Sequence, residues 1–249
     1  TQFTHTLTLN LLVMETEVTR QMWANLKASQ TSLPNDPTNT GASPTMNHPV
    51  QSVTWWETLL FANLLSVQNG LTRCYYTDED FEVPIDATNY NTGQYYCDWD
   101  ASGYRLPSEG EWERFCRAGT VSPFWITEPN YKDENCGSGC TLGMYPRLES
   151  AGWFCNNSAG AAHVVGQKAA NPWGLKDVIG NVWEWCWDWC GTYPGRSIDY
   201  HGETSGSVKI LRGGCFNVDT ARISRSAFRG IENPSGRGFG FGFRLVRTL

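Results

Sequence analysis

Residues 182–189 read VWEWCWDW, and this run decides the fold class. It alternates strictly, with the two-residue period of a β-strand. Trp183, Trp185, Trp187 and Trp189 fall on one face, and Val182, Glu184, Cys186 and Asp188 on the other. Working back along the chain, YRLPSEGEWERFCRAG at 104–119 turns from a short strand, stopped at Pro107, into a helix. There Ser108 and Glu111 can satisfy each other's orphan amides as a capping box. A second box, Thr54 with Glu57, opens a longer helix whose Leu60, Phe61, Leu64 and Leu65 share one face. Residues 3–13 read as a strand and Glu17 to Ser29 as a short helix. Residues 208–213, 221–228 and 242–247 read as strands between Gly-rich turns, and 72–104 as short strands and loops. Residues 30–52 and 120–172 read as long irregular stretches.

Composition sets the outer limits. The chain has 249 residues, 25 Gly, 12 Pro and 18% charged residues, which describes a loop-rich globular protein and not a disordered one. No run approaches the roughly 18 apolar residues that span a bilayer. No linker interrupts the chain, so 1–249 is expected to be one domain, with 212–249 as its C-terminal segment. Charge is segregated: residues 1–211 carry 12 Lys/Arg against 23 Asp/Glu, whereas 212–249 carry seven Arg against Asp219 and Glu232. No continuous basic run exists. The C-terminal arginines are therefore expected to pair with acidic helices of the same domain, and nucleic acid is excluded as a partner. Nine cysteines include two CxxxC pairs, Cys136 with Cys140 and Cys186 with Cys190. No His lies close to them in sequence, so they read as structural thiols or disulfides and not as a zinc site. The chain begins at Thr1 without an initiator Met, and the expected location is the cell surface or the exterior, reached through a removed N-terminal segment that could also carry a lipid anchor.

Three segments acting together go beyond propensity: YRLPSEGEWERFCRAG at 104–119, NPWGLKDVIGNVWEWC at 171–186, and RGG at 212–214 closing with GFRLV at 242–246. In this order and spacing the chain resembles the formylglycine-generating-enzyme (sulfatase-modifying factor) family, over nearly its whole length from EVT at 17–19 onward. The resemblance implies an α+β, C-type lectin-like fold with short antiparallel strands, two main helices and extensive loops. It also implies a binding face built from the C-terminal segment. The same motifs read first as packing and turn signatures, which say nothing about activity.

Enzymes of this family use two cysteines, five residues apart just after RGG, to seat copper, because soft thiolates suit Cu(I). The matching positions here are Val218 and Ile223, neither of which can be a ligand. Cys215 is one thiol where two are needed, so no enzymatic activity is expected; a formylglycine-generating-like oxidase stands as the alternative. The iron-dependent sulfoxide synthases of the same fold take His ligands from an additional domain, and His5, His48, His163 and His201 are widely scattered here. No cofactor is required on this reading. The resemblance does imply a structural Ca²⁺ near Asn181 and Glu184, whose oxygens are of the hard type that ion prefers, with a hydrogen-bonded turn as the competing reading.

RGGCFNVDTARISR at 212–225 and the frame around NPSGRGFGFGFRLVRTL at 233–249 also resemble a non-enzymatic branch, the variable proteins of diversity-generating retroelements. In these, adenine-directed mutagenesis rewrites a C-terminal lectin-like face. The implied retained frame is Arg212, Gly213, Gly214, Arg222, Arg229, Pro234, Arg237, Gly242, Phe243 and Arg244. The implied ligand-binding positions are Cys215, Asn217, Val218, Asp219, Gly230, Ile231, Glu232, Ser235, Gly236, Gly238, Phe239 and Gly240. Across 215–241 only Glu232 lies outside the residues reachable from a randomised AAC codon. Small polar residues mixed with a few rings make an adaptable surface, which suits a protein or other macromolecular ligand. Core burial competes with ligand contact for Val218, Ile231 and the rings of Phe239 and Phe241, and a fixed-sequence binding module of the same fold is the rival class.

Overall fold

The computed structural model describes residues 4–91, 93–129, 131, 142–218 and 220–249. Elements in chain order are β1 (His5–Thr6), β2 (Leu11–Val13), α1 (Arg20–Ser29), α2 (Trp55–Gln68), β3 (Tyr75–Tyr76), β4 (Tyr96–Cys97), α3 (Glu109–Arg117) and α4 (Pro146–Ala151). They continue with β5 (Trp183–Trp189), β6 (Ser197–Ile198), β7 (Lys209–Arg212), β8 (Gly230–Glu232), β9 (Phe241–Gly242) and β10 (Val246–Thr248).

The alternating Trp run forms β5 at the middle of a four-stranded sheet of order β8-β7-β5-β9. β5 and β7 pair antiparallel, Trp185 opposite Leu211, while β9 joins β5 in parallel, Trp183 opposite Phe241. That parallel edge, and the parallel β1/β6 pair, depart from the all-antiparallel expectation. The sheet is a wall between two apolar clusters. Trp185 and Leu211 face the cluster of α1, α2 and Phe243, whereas Cys186 and Ile210 face the cluster of α3 and α4. Glu184, Cys186 and Asp188 are consequently as buried as Trp185, and more so than Trp183, Trp187 and Trp189, which are half-buried.

Both expected capping boxes form. Thr54 and Glu57 close the start of α2, Ser108 and Glu111 the start of α3. α2 is more deeply embedded than a one-sided stripe predicts: Glu57 to Asn63 are all buried, whereas Leu64 and Leu65 are half-buried. α1 starts at Arg20 and not at Glu17, because Val18 is held extended, donating to Phe243 O at 2.9 Å and accepting from Val50 N at 2.9 Å. Residues 221–228 are not a strand. Thr220 accepts from the Arg222 amide and caps a 3₁₀ turn at Ala221–Ser224. The expected strand over 3–13 divides into β1 and β2, and 242–247 straddles the end of β9 and the start of β10. α4 arises inside the stretch expected to be irregular, started by Pro146 at its first turn.

Cys74, Cys97, Cys116, Cys186, Cys190 and Cys215 are unpaired thiols, so Cys186 and Cys190 are structural thiols and not a disulfide. Cys136 and Cys140 lie outside the described residues.

Candidate functional site

The C-terminal segment is pinned to the scaffold by arginines. Arg212 is buried, with Nη2 3.0 Å from Glu113 Oε2 and 3.3 Å from Glu109 Oε2, and its Nη1 donates to Ser226 O and Phe228 O. Arg229 grips the same Glu109 through two nitrogens, at 2.6 and 2.8 Å. Arg237 reaches Glu57 at 2.6 Å and Ser52 O at 3.0 Å, while Pro234 O accepts from the Trp55 amide, an orphan donor at the start of α2. Arg244 is paired with Glu184 at 2.7 and 2.8 Å and donates to the carbonyls of Met14, Glu15 and Lys176. The charge segregation seen in the sequence is thus resolved within the fold, basic tail against acidic helices and strand.

Between these pins the chain presents side chains outward. Asn217, Ile231, Ser235 and Phe239 are exposed, Ile231 and Phe239 with more than half of their surface free. Gly230, Glu232, Gly236 and Gly238 are half-buried. Three expected contact positions turn inward: Cys215, Val218 and Gly240 are buried. Val218 and Cys215 pack in the apolar cluster of α3, and a Cβ built on Gly240 would lie 2.9 Å from Cys215 Sγ. Burial pushes the Cys215 thiol up to about 12, and its S–H donates to Asn217 Oδ1 at 2.9 Å. Asp219 lies outside the described residues.

The floor of this face is a residue that strand periodicity marked only as scaffold. Trp183 is half-buried; its amide donates to Gly240 O at 2.6 Å, its ring sits 6.2 Å from Phe228, and a Cβ on Gly230 would meet that ring at 2.9 Å. Its pairing with Phe241 could not be read from sequence, because a parallel partner nearly 60 residues away leaves no local signal. Asn233, exposed and absent from the expected set, shapes the loop by accepting from the Ser235 amide and hydroxyl.

Neither metal seat suggested by the sequence fits the geometry. At the copper positions Val218 is an apolar core residue and Ile223 half-buried, and the nearby Cys215 is held as a neutral thiol. For calcium, Glu184 has both oxygens occupied by Arg244 and by Trp112 Nε1, the latter at 2.7 Å. Asn181, in a left-handed turn at φ 57°, gives Oδ1 to the His163 amide. A cation at Glu184 would have to displace a guanidinium. Among the described residues no group of three or more His, Cys, Asp or Glu side chains could hold a metal ion.

These features define a class: an α+β, C-type lectin-like domain of the formylglycine-generating-enzyme subtype, closed by a pinned C-terminal loop. The chain belongs to the family described as the sulfatase-modifying factor enzyme 1-like domain, whose model matches residues 4–249. Its sequence is similar to chaperone protein LppX of Paenibacillus barcinonensis, 30% identical over 240 residues that cover 93% of this chain and 78% of that protein. It is also similar to the formylglycine-generating enzyme of Streptomyces coelicolor, 31% identical over 177 residues; the match covers 66% of this chain and about half, 52%, of that enzyme. The structure is similar to Treponema denticola variable protein 1, with a TM-score of 0.79 and 30% identity over 96% of this chain and 84% of that one. No helix among the described residues is long and apolar enough to cross a membrane.

Proposed function

We propose that this protein is a non-enzymatic binding protein whose C-terminal face, diversified by a retroelement of the kind that serves variable proteins, recognises a macromolecular ligand outside the cell. The observation that carries this reading is the alternation along 212–244 of anchored and free positions. Arg212, Pro234, Phe243 and Arg244 are buried, and Arg229 and Arg237 are ion-paired, whereas Asn217, Ile231, Ser235 and Phe239 between them reach solvent. A segment built this way tolerates exchange at the free positions without losing its docking. Similarity to a protein named a variable protein supports the same conclusion.

The contact chemistry favours a protein surface. Ile231 and Phe239 offer apolar anchors about which Asn217, Asn233 and Ser235 supply short hydrogen-bonding groups. The pairing of Arg212, Arg229, Arg237 and Arg244 with carboxylates argues against a phosphate-binding surface. Copper oxidation of a substrate cysteine is disfavoured by Val218 and Ile223, which offer no thiolate at the positions where the paired ligands are expected.

Deep sequencing of the 3′ end of the gene across a source population tests the reading. Substitutions concentrated at the codons for residues 217, 231, 235 and 239, with the arginine pins intact, are the expected result. A uniform sequence would overturn diversification and leave a binding module of fixed specificity.

A further inference from the structure

A second concavity lies between α3 and the N-terminal strands. Its volume is about 310 Å³, at the lower end of the range for small-molecule sites, and none of its lining residues belongs to the C-terminal face. The lining is mixed. Leu7, Leu9, Leu11 and Val13, alternate residues of one stretch, are half-buried along it, while charged side chains of α3 and of the turn at Asp199 border the same space.

Of the charges there, Glu111 is neutralised within the fold by Arg105, at 2.7 and 2.8 Å. Asp199 is not. Its oxygens accept from the Thr8 amide and hydroxyl, neutral donors that fix the direction of the carboxylate and leave its charge. Partial burial opposes that charge, but the two Thr8 bonds outweigh it and hold the carboxyl below the usual range. The two imidazoles that act on Asp199 are neutral at pH 7, since burial pushes both His5 and His201 down, the second to about 4. Arg114 is exposed, its guanidinium 5.6 Å from the centre of the Trp173 ring, and no carboxylate among the described residues pairs with it. The anion and the cation therefore border one cavity without meeting. His5 packs against Gly110 and accepts from the Tyr200 amide at 3.0 Å, which sets Asp199 beside the first turn of α3. Arg114 follows Gly110 by one helical turn, about 6 Å along the axis. A simple amphipathic anion or cation would leave one of these charges unmatched, and an α-amino acid carries its two charges on a single carbon. A zwitterion whose charges are separated by methylenes matches both, with the leucines against its chain.

We propose that this cavity binds a small ω-amino carboxylate, its ammonium on Asp199, its carboxylate on Arg114 and its methylenes against the leucines of the N-terminal stretch. The site is independent of the C-terminal face, so its failure would leave the reading of that face untouched.

The probe is δ-aminovalerate, titrated into the intact chain and followed by amide NMR beside three controls. Valerate lacks the ammonium, pentylammonium lacks the carboxylate, and norvaline is the isomer with both charges on one carbon. δ-Aminovalerate should shift amides of residues 7–13 and of α3 saturably, with the Trp173 indole, and leave Ile231 and Phe239 unmoved. Each control should bind about fivefold more weakly or worse, the upper range for one exposed ion pair. Arg114→Gln should weaken δ-aminovalerate about fivefold and leave pentylammonium no weaker. Asp199→Asn should do the same while leaving valerate no weaker, and Asn tolerates the left-handed backbone at this position, φ 43°. If that variant fails to fold, the exposed Arg114 alone decides. Absence of saturable shifts around the cavity, equal affinity for norvaline or valerate, or indifference to Arg114→Gln would each overturn the proposal.

Discussion

Replacing Arg244 with Met would show whether the C-terminal face depends on its buried arginine pins. The guanidinium is fully buried and its partner Glu184 is 1% exposed, so the change leaves a buried carboxylate with the Trp112 indole as its remaining donor. Met keeps most of the apolar stem, which isolates the polar loss from a cavity. Breaking one side of a buried pair costs about 3–5 kcal/mol. Three carbonyls, those of Met14, Glu15 and Lys176, lose their donor as well. Glu17 and Asp177, whose carboxyls burial already pushes above their ordinary range, lose the nearby cation that opposes this. At about 2–4 °C per kcal/mol for a chain of this size, Tm should fall by about 6–20 °C. The double variant Arg244→Met with Glu184→Gln removes the stranded charge while the Gln carbonyl still accepts from Trp112, so it should recover several degrees. Thermal unfolding followed by near-ultraviolet circular dichroism, with urea titration as a check on two-state behaviour, reads both. A single-variant drop under about 3 °C, or a double variant no better than the single, would refute the reasoning.

Ile231→Ser and Phe239→Ser should each leave Tm within about 2 °C, since exposed positions contribute within about 0.5 kcal/mol, and a larger fall in a melting experiment would count against their assignment to a free face. Trp185→Ala should cost about 3–5 kcal/mol, because its buried ring packs edge-on to Phe241 and its Nε1 donates to Val53 O; an unshifted urea midpoint would contradict this. Burial raises the Asp188 carboxyl to about 8, with the neighbouring Glu109 carboxylate adding to the shift. The folded state then holds a proton that the unfolded chain releases near pH 4, so this stabilisation is complete below about pH 4 and lost as pH rises through about 8. Asp188→Asn should therefore flatten the decline of Tm between those values, and parallel profiles for variant and parent would disprove it. Added Ca²⁺ or EDTA should leave Tm unchanged through Glu184; a calcium-dependent rise in Tm that vanishes in Asn181→Gly would reverse that conclusion.

What could be read from the sequence was local. The capping boxes at Thr54 and Ser108 close within one helical turn, and the β5 alternation closes within two residues, so short-range rules locate both. The start of α1 was misplaced because Val18 is claimed by Phe243 and Val50, partners far away in sequence. The strand expected over 221–228 failed for a related reason, since Thr220 offers a side-chain cap that outcompetes extended pairing. In the candidate site, the arginine pins were foreshadowed by segregated charge, though not their individual partners. Burial of Val218 was one of two readings its apolar side chain allowed, whereas the inward turn of Cys215 and Gly240 has no such trace. Cys215 and Val218 lie in a loop without period and turn inward by packing in the cluster of α3, while Gly240, in a second loop, is held by the Trp183 amide against Cys215.

The spacing of the pins determines how variation can be contained. Ile231 lies two residues from Arg229, Ser235 next to Pro234, and Phe239 two residues from Arg237. Each free side chain is thus close to a residue tied to α2 or α3, Arg229 and Arg237 through their guanidinium groups and Pro234 through its carbonyl. A substitution there perturbs a few bonds before reaching a fixed point, so its effect stays local. The half-buried glycines obey a stricter condition: a Cβ on Gly238 would come within 2.7 Å of the Phe241 ring, and one on Gly230 within 2.9 Å of Trp183. Exchange at these two sites must displace a ring of the floor, coupling local sequence to the shape of the whole face. Two kinds of position therefore coexist in one segment, those that change which groups a ligand meets and those that change the surface on which it rests.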